Sequence, residues 1–177
     1  MGFEQYPRIN GYIQSKGGVK RGAFNKKAYD SGMESWNKLS YEEYQRLETE
    51  VDRGFKIFDA LVTPTAIIIT RQKTAKVIPV RDIVWMYTRV VTNRYNFIPT
   101  SKTHNILLMD RYGEYETLGF TTTGGFSKKT PADIALQTIR TITELTRKGI
   151  VYGYNDELAK NVQNDLQGFV AYVDSVQ

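Results

Sequence analysis

The chain has 177 residues, 41% of them apolar, a net charge of +5 and no cysteine. That length fits one domain, or one domain with an arm, and the missing thiols exclude disulfides, thiolate metal sites and cysteine nucleophiles. No apolar run reaches the about 18 residues that a membrane-spanning helix needs, and the first residues carry no signal-like apolar stretch, so the sequence predicts a soluble cytoplasmic protein.

In chain order, residues 1–39 read as a basic, irregular arm. Gly11, Gly17, Gly18, Gly22 and Gly32 interrupt any periodicity, while the aromatics Phe3, Tyr6, Tyr12, Phe24, Tyr29 and Trp36 are too many for a disordered tail and predict partial packing on the body. Ser40 followed by Glu43 is a capping box. It opens a helix in which Tyr44, Leu47 and Val51 share a face and which Gly54 ends.

Strands follow at 55–63, 65–70, 75–80 and 83–91, with Pro64 at a strand end because it lacks an N–H. Thr92–Asn96 reads as a loop, and a further strand runs over 103–109. Asp110-Arg-Tyr-Gly113 is a hairpin turn. The return strand over 114–122 alternates, with Tyr115, Thr117 and Gly119 on one face and Glu116, Leu118 and Phe120 on the other.

A helix then begins at Thr130-Pro131, with Thr130 as N-cap and Pro131 at the first helical position, and closes at Gly149. A last helix capped by Asn155 carries the stripe Leu158, Val162, Leu166, Phe169 and Val173. The expected organisation is therefore the arm over 1–39, a helix, sheet and capping helix over 40–149, and an additional helix over 150–177.

A helix, six to seven antiparallel strands and a helix make an α+β pattern. The absence of strand–helix–strand alternation excludes a Rossmann or P-loop architecture. The segments Leu61-Val-Thr63, Ile67-Ile-Ile69, Val77-Ile-Pro-Val80 and Asp82-Ile-Val-Trp85, with the late hairpin and the helix from Pro131, resemble the bacterial pleckstrin-homology-like domains over about residues 55–148. The resemblance implies a curled antiparallel sheet or partly open barrel capped by a C-terminal helix. It implies no single activity, since related folds bind peptides, lipid headgroups or other proteins.

The positive charge is uneven. Residues 1–39 carry a net +4, residues 71–102 a net +6 with Asp82 the one acid, and residues 149–177 a net −3. A basic stripe attracts phosphates or anionic headgroups, although lysines also guard sheet edges. The candidate binding residues are Arg71, Lys73, Lys76, Arg89, Arg94 and Lys102. Trp85, Tyr87, Tyr95 and Phe97 interleave with Arg81, Arg89 and Arg94, a pattern that suits stacking of single-stranded nucleic acid.

His104, the one histidine, lacks the orienting partner and nucleophile of an acid–base site and reads as structural. The acidic pairs Glu42-Glu43 and Asp156-Glu157 stand at helix starts, where carboxylates suit the dipole, and read as caps. The loop Thr121–Thr130 lacks nucleotide-cradling spacing. No catalytic group, metal site or cofactor is expected. The sequence thus predicts a non-enzymatic binding module for a protein partner, a second copy or an anionic headgroup, with a nucleic-acid binder using the 71–102 stripe as the alternative.

Overall fold

The computed structural model describes residues 2–176, which form an α+β chain with two four-stranded sheets. The chain divides into two units, one ending at Arg81 and the other beginning at Asp82. The single six-to-seven-stranded sheet expected over 40–149 is therefore two separate sheets, and neither closes into a barrel.

The first unit begins with helices where an irregular arm was expected. In α1 (Pro7–Ser15) Pro7 takes the first turn, where a missing N–H costs nothing, and Ile9, Tyr12 and Ile13 are buried on one face. Their i, i+3, i+4 spacing was present in the sequence, but Gly11 between them and the surrounding Lys and Asn masked it. Next come α2 (Lys26–Ser35) and α3 (Tyr41–Glu50). The box at Ser40 forms as its spacing predicts: Glu43 N donates to Ser40 Oγ at 3.3 Å, and Ser40 N donates to the Glu43 carboxylate at 2.8 Å.

The sheet of this unit is an antiparallel meander of β1 (Phe55–Ile57), β2 (Ala60–Val62), β3 (Ala66–Arg71) and β4 (Thr74–Pro79), in that spatial order. The strand expected over 55–63 is broken in two because Phe58 adopts φ 53° and turns the chain. Leu61, Ala66, Ile68, Ala75 and Val77 form one core with Phe3, Ile9, Trp36, Tyr44 and Leu47. Inside it Phe3 and Trp36 pack at 4.8 Å between ring centroids, and Tyr6 stacks on Tyr44 at 4.6 Å. Such pairs contribute about 0.5–1.5 kcal/mol each beyond area burial. Burial pushes the Tyr44 hydroxyl up to about 12.

The outer edge of β4 is covered. Trp36 Nε1 donates to Ala75 O at 3.0 Å, and Val77 N donates to Ser35 Oγ at 2.9 Å. Helix α2 comes this close because Gly32 has no side chain: a Cβ there would stand 2.9 Å from Ala75 O. Backbone groups that an edge strand leaves open to pairing are thus satisfied from within the unit.

The second unit holds β5 (Ile83–Tyr95), β6 (Ile98–Asp110), β7 (Tyr115–Gly124), α4 (Pro131–Thr143), β8 (Val151–Tyr152), α5 (Asp156–Asn164) and α6 (Leu166–Ser175). The sheet order is β7-β6-β5-β8; β5, β6 and β7 pair antiparallel, while β8 runs parallel to β5 and pairs only at Trp85 and Met86. The expected loop over 92–96 is instead strand: β5 and β6 each run 13 residues, about 40 Å at strand rise, and only Asn96 and Phe97 turn. Both turn residues take positive φ, 46° and 66°, the backbone of a two-residue hairpin whose twist matches its strands.

Trp85 and Met109 stand opposite each other and cluster with Val162, Phe169 and Val173 of α5 and α6. Helix α4 lies over β5 and β6, and Thr88 Oγ1 donates to its Asp133 at 2.6 Å. The last helix, expected to be continuous, breaks at Asp165, which has φ −147° and caps α6 through Gly168 N. Thr130 makes no side-chain cap to α4, although Pro131 begins it as predicted. The late turn forms at Asp110, whose carboxylate accepts from Tyr112 N and Glu114 N, both at 2.9 Å.

Candidate binding surface

Towards the Asn96-Phe97 turn the second sheet leaves its helices behind. Every residue from Arg89 to Ile98 is exposed, although all but the two turn residues are paired in strands. Strand β7 continues alongside to Gly124, so the outer part is a three-stranded ribbon about 20 Å long by strand rise. Cross-strand partners share a face. One face carries Arg89, Val91, Asn93 and Tyr95 of β5, opposite Asn105, Thr103, Ser101 and Ile98. The other carries Val90, Thr92 and Arg94, opposite His104, Lys102 and Pro99.

Phe120 joins the first face, opposite Asn105. The simple alternation of β7 puts Phe120 on the face away from Tyr115 and Thr117; the structure puts all three on the same face. The cause is a bulge: the register shifts between Asn105 and Leu107, and Gly119 sits there at φ 86°. An extra residue in one strand reverses the alternation beyond it.

The turn is apolar and uncovered. Phe97 is 94% exposed, Tyr95 73% and Ile98 59%. The loop after β7 brings a further ring to this end. Gly125 N donates to Thr100 O at 3.2 Å, and a Cβ on Gly125 would stand 2.2 Å from Pro99 O, so only glycine permits this close approach. Phe126, next in sequence, is 77% exposed, and Lys128 and Lys129 follow it, both exposed.

The electrostatics are one-sided. From residue 83 to residue 109 the chain has no Asp or Glu, and Arg89, Arg94 and Lys102 are its full charges. Lys102 reaches across to the loop, where its Nζ donates to Ser127 O at 2.9 Å. His104 lies on the same face at 2% exposure, with Nε2 2.9 Å from Thr123 Oγ1, and it knits β6 to β7.

The six basic residues singled out from the sequence fall into two groups. Arg71, Lys73 and Lys76 belong to the β3–β4 hairpin of the first unit, where Arg71 is ion-paired with Asp59 and Lys73 sits in the turn at φ 59°. Arg89, Arg94 and Lys102 belong to the ribbon of the second. Within the ribbon, Arg94 and Lys102 share a face and Arg89 takes the other.

The interleaved aromatic and arginine platform does not assemble. Trp85 is 1% exposed and donates from Nε1 to Gly153 O at 2.7 Å. Tyr87 packs on it at 4.6 Å, and burial raises its hydroxyl above the usual range. Arg81 pairs with Glu43 in the first unit. What remains exposed is Arg89, Arg94, Tyr95 and Phe97. Sequence reasoning missed Phe126 and Ile98 as surface residues, and the Gly124-Gly125 pair before Phe126 was the one local sign of a close backbone approach.

Among the described residues no group of three or more His, Asp or Glu side chains is arranged to hold a metal ion, and no helix is long and apolar enough to cross a membrane. Comparison with family models, curated proteins and solved structures finds nothing that matches this chain.

Proposed function

We propose that the chain is a non-enzymatic, cytoplasmic binding module whose contact surface is the ribbon of the second unit, and that its partner is anionic. The observation that carries this reading is the run Arg89–Ile98: paired strand with apolar side chains exposed on both faces and no acid anywhere along it. Contiguous exposed apolar surface of this kind marks interaction sites in folded proteins, and positive charge without counter-charge attracts an anionic partner. The likeness to pleckstrin-homology-like domains is supported by the antiparallel pairing of the strands over 60–79 and by the helix after the late hairpin; the strand from Ile83, which lies in the second sheet, departs from it, and the likeness adds no ligand of its own.

The test is a titration of anionic vesicles, a single-stranded oligonucleotide and an acidic peptide against the chain over a salt series. At least one should bind, more weakly as salt screens the charges, and Arg89→Gln with Arg94→Gln should reduce that binding several-fold. Binding that ignores these substitutions but is lost with Lys73→Gln and Lys76→Gln would move the surface to the first unit and contradict the proposal.

A further inference from the structure

Resting on that reading of the ribbon, we infer that its partner is the surface of an anionic lipid bilayer, into which the Asn96-Phe97 turn inserts. A partner with a folded surface calls for a groove or a flat patch, whereas the apolar groups here stand at the end of a hairpin. Phe97 occupies the turn itself, Tyr95 and Ile98 are the pair next to it, and the glycine contact at Pro99 brings the backbone just before the exposed Phe126 to the same end. Rings and aliphatic groups at a protruding end, with cations set behind them, fit the headgroup boundary, where aromatic side chains partition and Lys and Arg meet the lipid charge.

The cations are placed accordingly. Arg94 and Pro99 form the pair immediately behind Tyr95 and Ile98, and Arg89 lies farther along β5. Lys128 and Lys129 follow Phe126 on the neighbouring loop. The acids nearest the ribbon, Asp82, Asp110, Glu116 of β7 and Asp133 at Thr88, all lie on the side of Arg89 and Asn105 away from the turn, so the outer ribbon itself carries no acid to repel a negative surface.

Two other occupants fit less well. A second copy of the chain would set one acid-free ribbon against another, with Arg89 and Arg94 facing like charges. A single strand of nucleic acid needs several rings and arginines along one face, but the face of Tyr95 and Phe120 carries Arg89 alone, with Arg94 on the opposite one, and Trp85 and Tyr87 are taken up in the core.

The backbone of the turn supports the same placement. Phe97 holds a left-handed conformation that a bulky side chain disfavours and that glycine adopts freely. Asn-Gly is the ordinary sequence for such a turn. A phenylalanine kept there, exposed and conformationally unfavourable, gains nothing for folding and supplies a ring at the outermost point.

The experiment is sedimentation of the full chain with vesicles of phosphatidylcholine alone and of phosphatidylcholine mixed with phosphatidylserine. Binding is expected to the mixed vesicles and to be much weaker to the neutral ones. Phe97→Ala should weaken it about ten-fold, from the apolar area of one ring, and Arg94→Gln with Lys128→Gln should do so by about five-fold per charge. A Phe97→Trp variant should show a blue-shifted emission component on binding, quenched by bromine-labelled lipid chains. Failure to bind mixed vesicles, with retained ribbon-dependent binding of the oligonucleotide or the acidic peptide, overturns the bilayer and leaves the anionic-partner reading standing. Failure to bind any of the three overturns both. Vesicle binding unaffected by Phe97→Ala, in a variant whose circular dichroism is unchanged, also overturns insertion of the turn.

Discussion

Two hairpins in this chain are built on the same turn and treated in opposite ways. The β3–β4 hairpin turns at Gln72 and Lys73, and the β5–β6 hairpin at Asn96 and Phe97; all four residues take positive φ without a glycine. The first turn is held. Lys20 N donates to Lys73 O at 2.9 Å, and Asn25 Nδ2 donates to Gln72 O at 3.0 Å. Its outer strand is covered by Ser35 and Trp36. The second turn is bare, and beyond Met86 no further strand pairs with the outer edge of β5 among the described residues.

The two hairpins are stabilised differently. In the first unit, an unfavourable turn and an open edge are offset by contacts from the N-terminal helices, so the hairpin belongs to the core. In the second unit the hairpin outruns its core, and the same features persist without a compensating contact. Unfavourable backbone that packing does not explain is a reason to look for a partner.

The largest effect is expected at Trp36. Trp36→Ala removes a fully buried ring and leaves Ala75 O without its donor. It should cost the first unit about 3–5 kcal/mol, read as a lowered midpoint in denaturant unfolding. A loss below about 1 kcal/mol would mean that the edge cover is incidental.

Asn25→Ala is the narrower test of the first turn. Its Nδ2 also donates to Lys20 O at 3.0 Å, and its Oδ1 accepts from Gly22 N at 2.7 Å. Losing these bonds should cost about 1–2 kcal/mol and raise amide exchange around residues 20–25 and 72–74.

Phe97→Gly sharpens the contrast from the other side with the smallest effect on folding. Converting the turn to Asn-Gly should stabilise the chain by about 1 kcal/mol, because a bulky side chain leaves the left-handed region, while vesicle binding falls about ten-fold. Loss of stability in that variant would mean that the ring packs on something and that the turn is not free.

Much of the second unit was legible in the sequence, because its signals are local. Asp110–Gly113, Pro131 and Asn155 act on residues within a turn of themselves, and the apolar stripe of the last helices fell on the side that packs. The long hairpin was not legible. Thr92-Asn-Arg-Tyr-Asn96 has loop composition, and a strand exposed on both faces shows neither alternation nor an apolar run. Helix α1 was hidden for a related reason: a short helix with Gly11 inside draws its stability from the Trp36–Tyr44 core, which lies far along the chain. The face of Phe120 depended on a bulge at Gly119, and register is a property of paired strands that one strand alone does not show.

The basic stripe shows what composition can and cannot do. Its net charge over 71–102 was correct as a count, but it spans the boundary at Arg81 and Asp82. Its first half includes Arg71 and Arg81, both matched by carboxylates, while its second half, past Asp82 at its start, has no acid of its own.

Hydrogen–deuterium exchange of the full chain with and without phosphatidylserine-containing vesicles tests the central claim most directly, because it reads both hairpins in one sample. Vesicles should slow exchange over residues 89–103 and around Gly125-Phe126, and leave residues 71–77 as they were. Protection confined to 71–77, or equal at both hairpins, would contradict it.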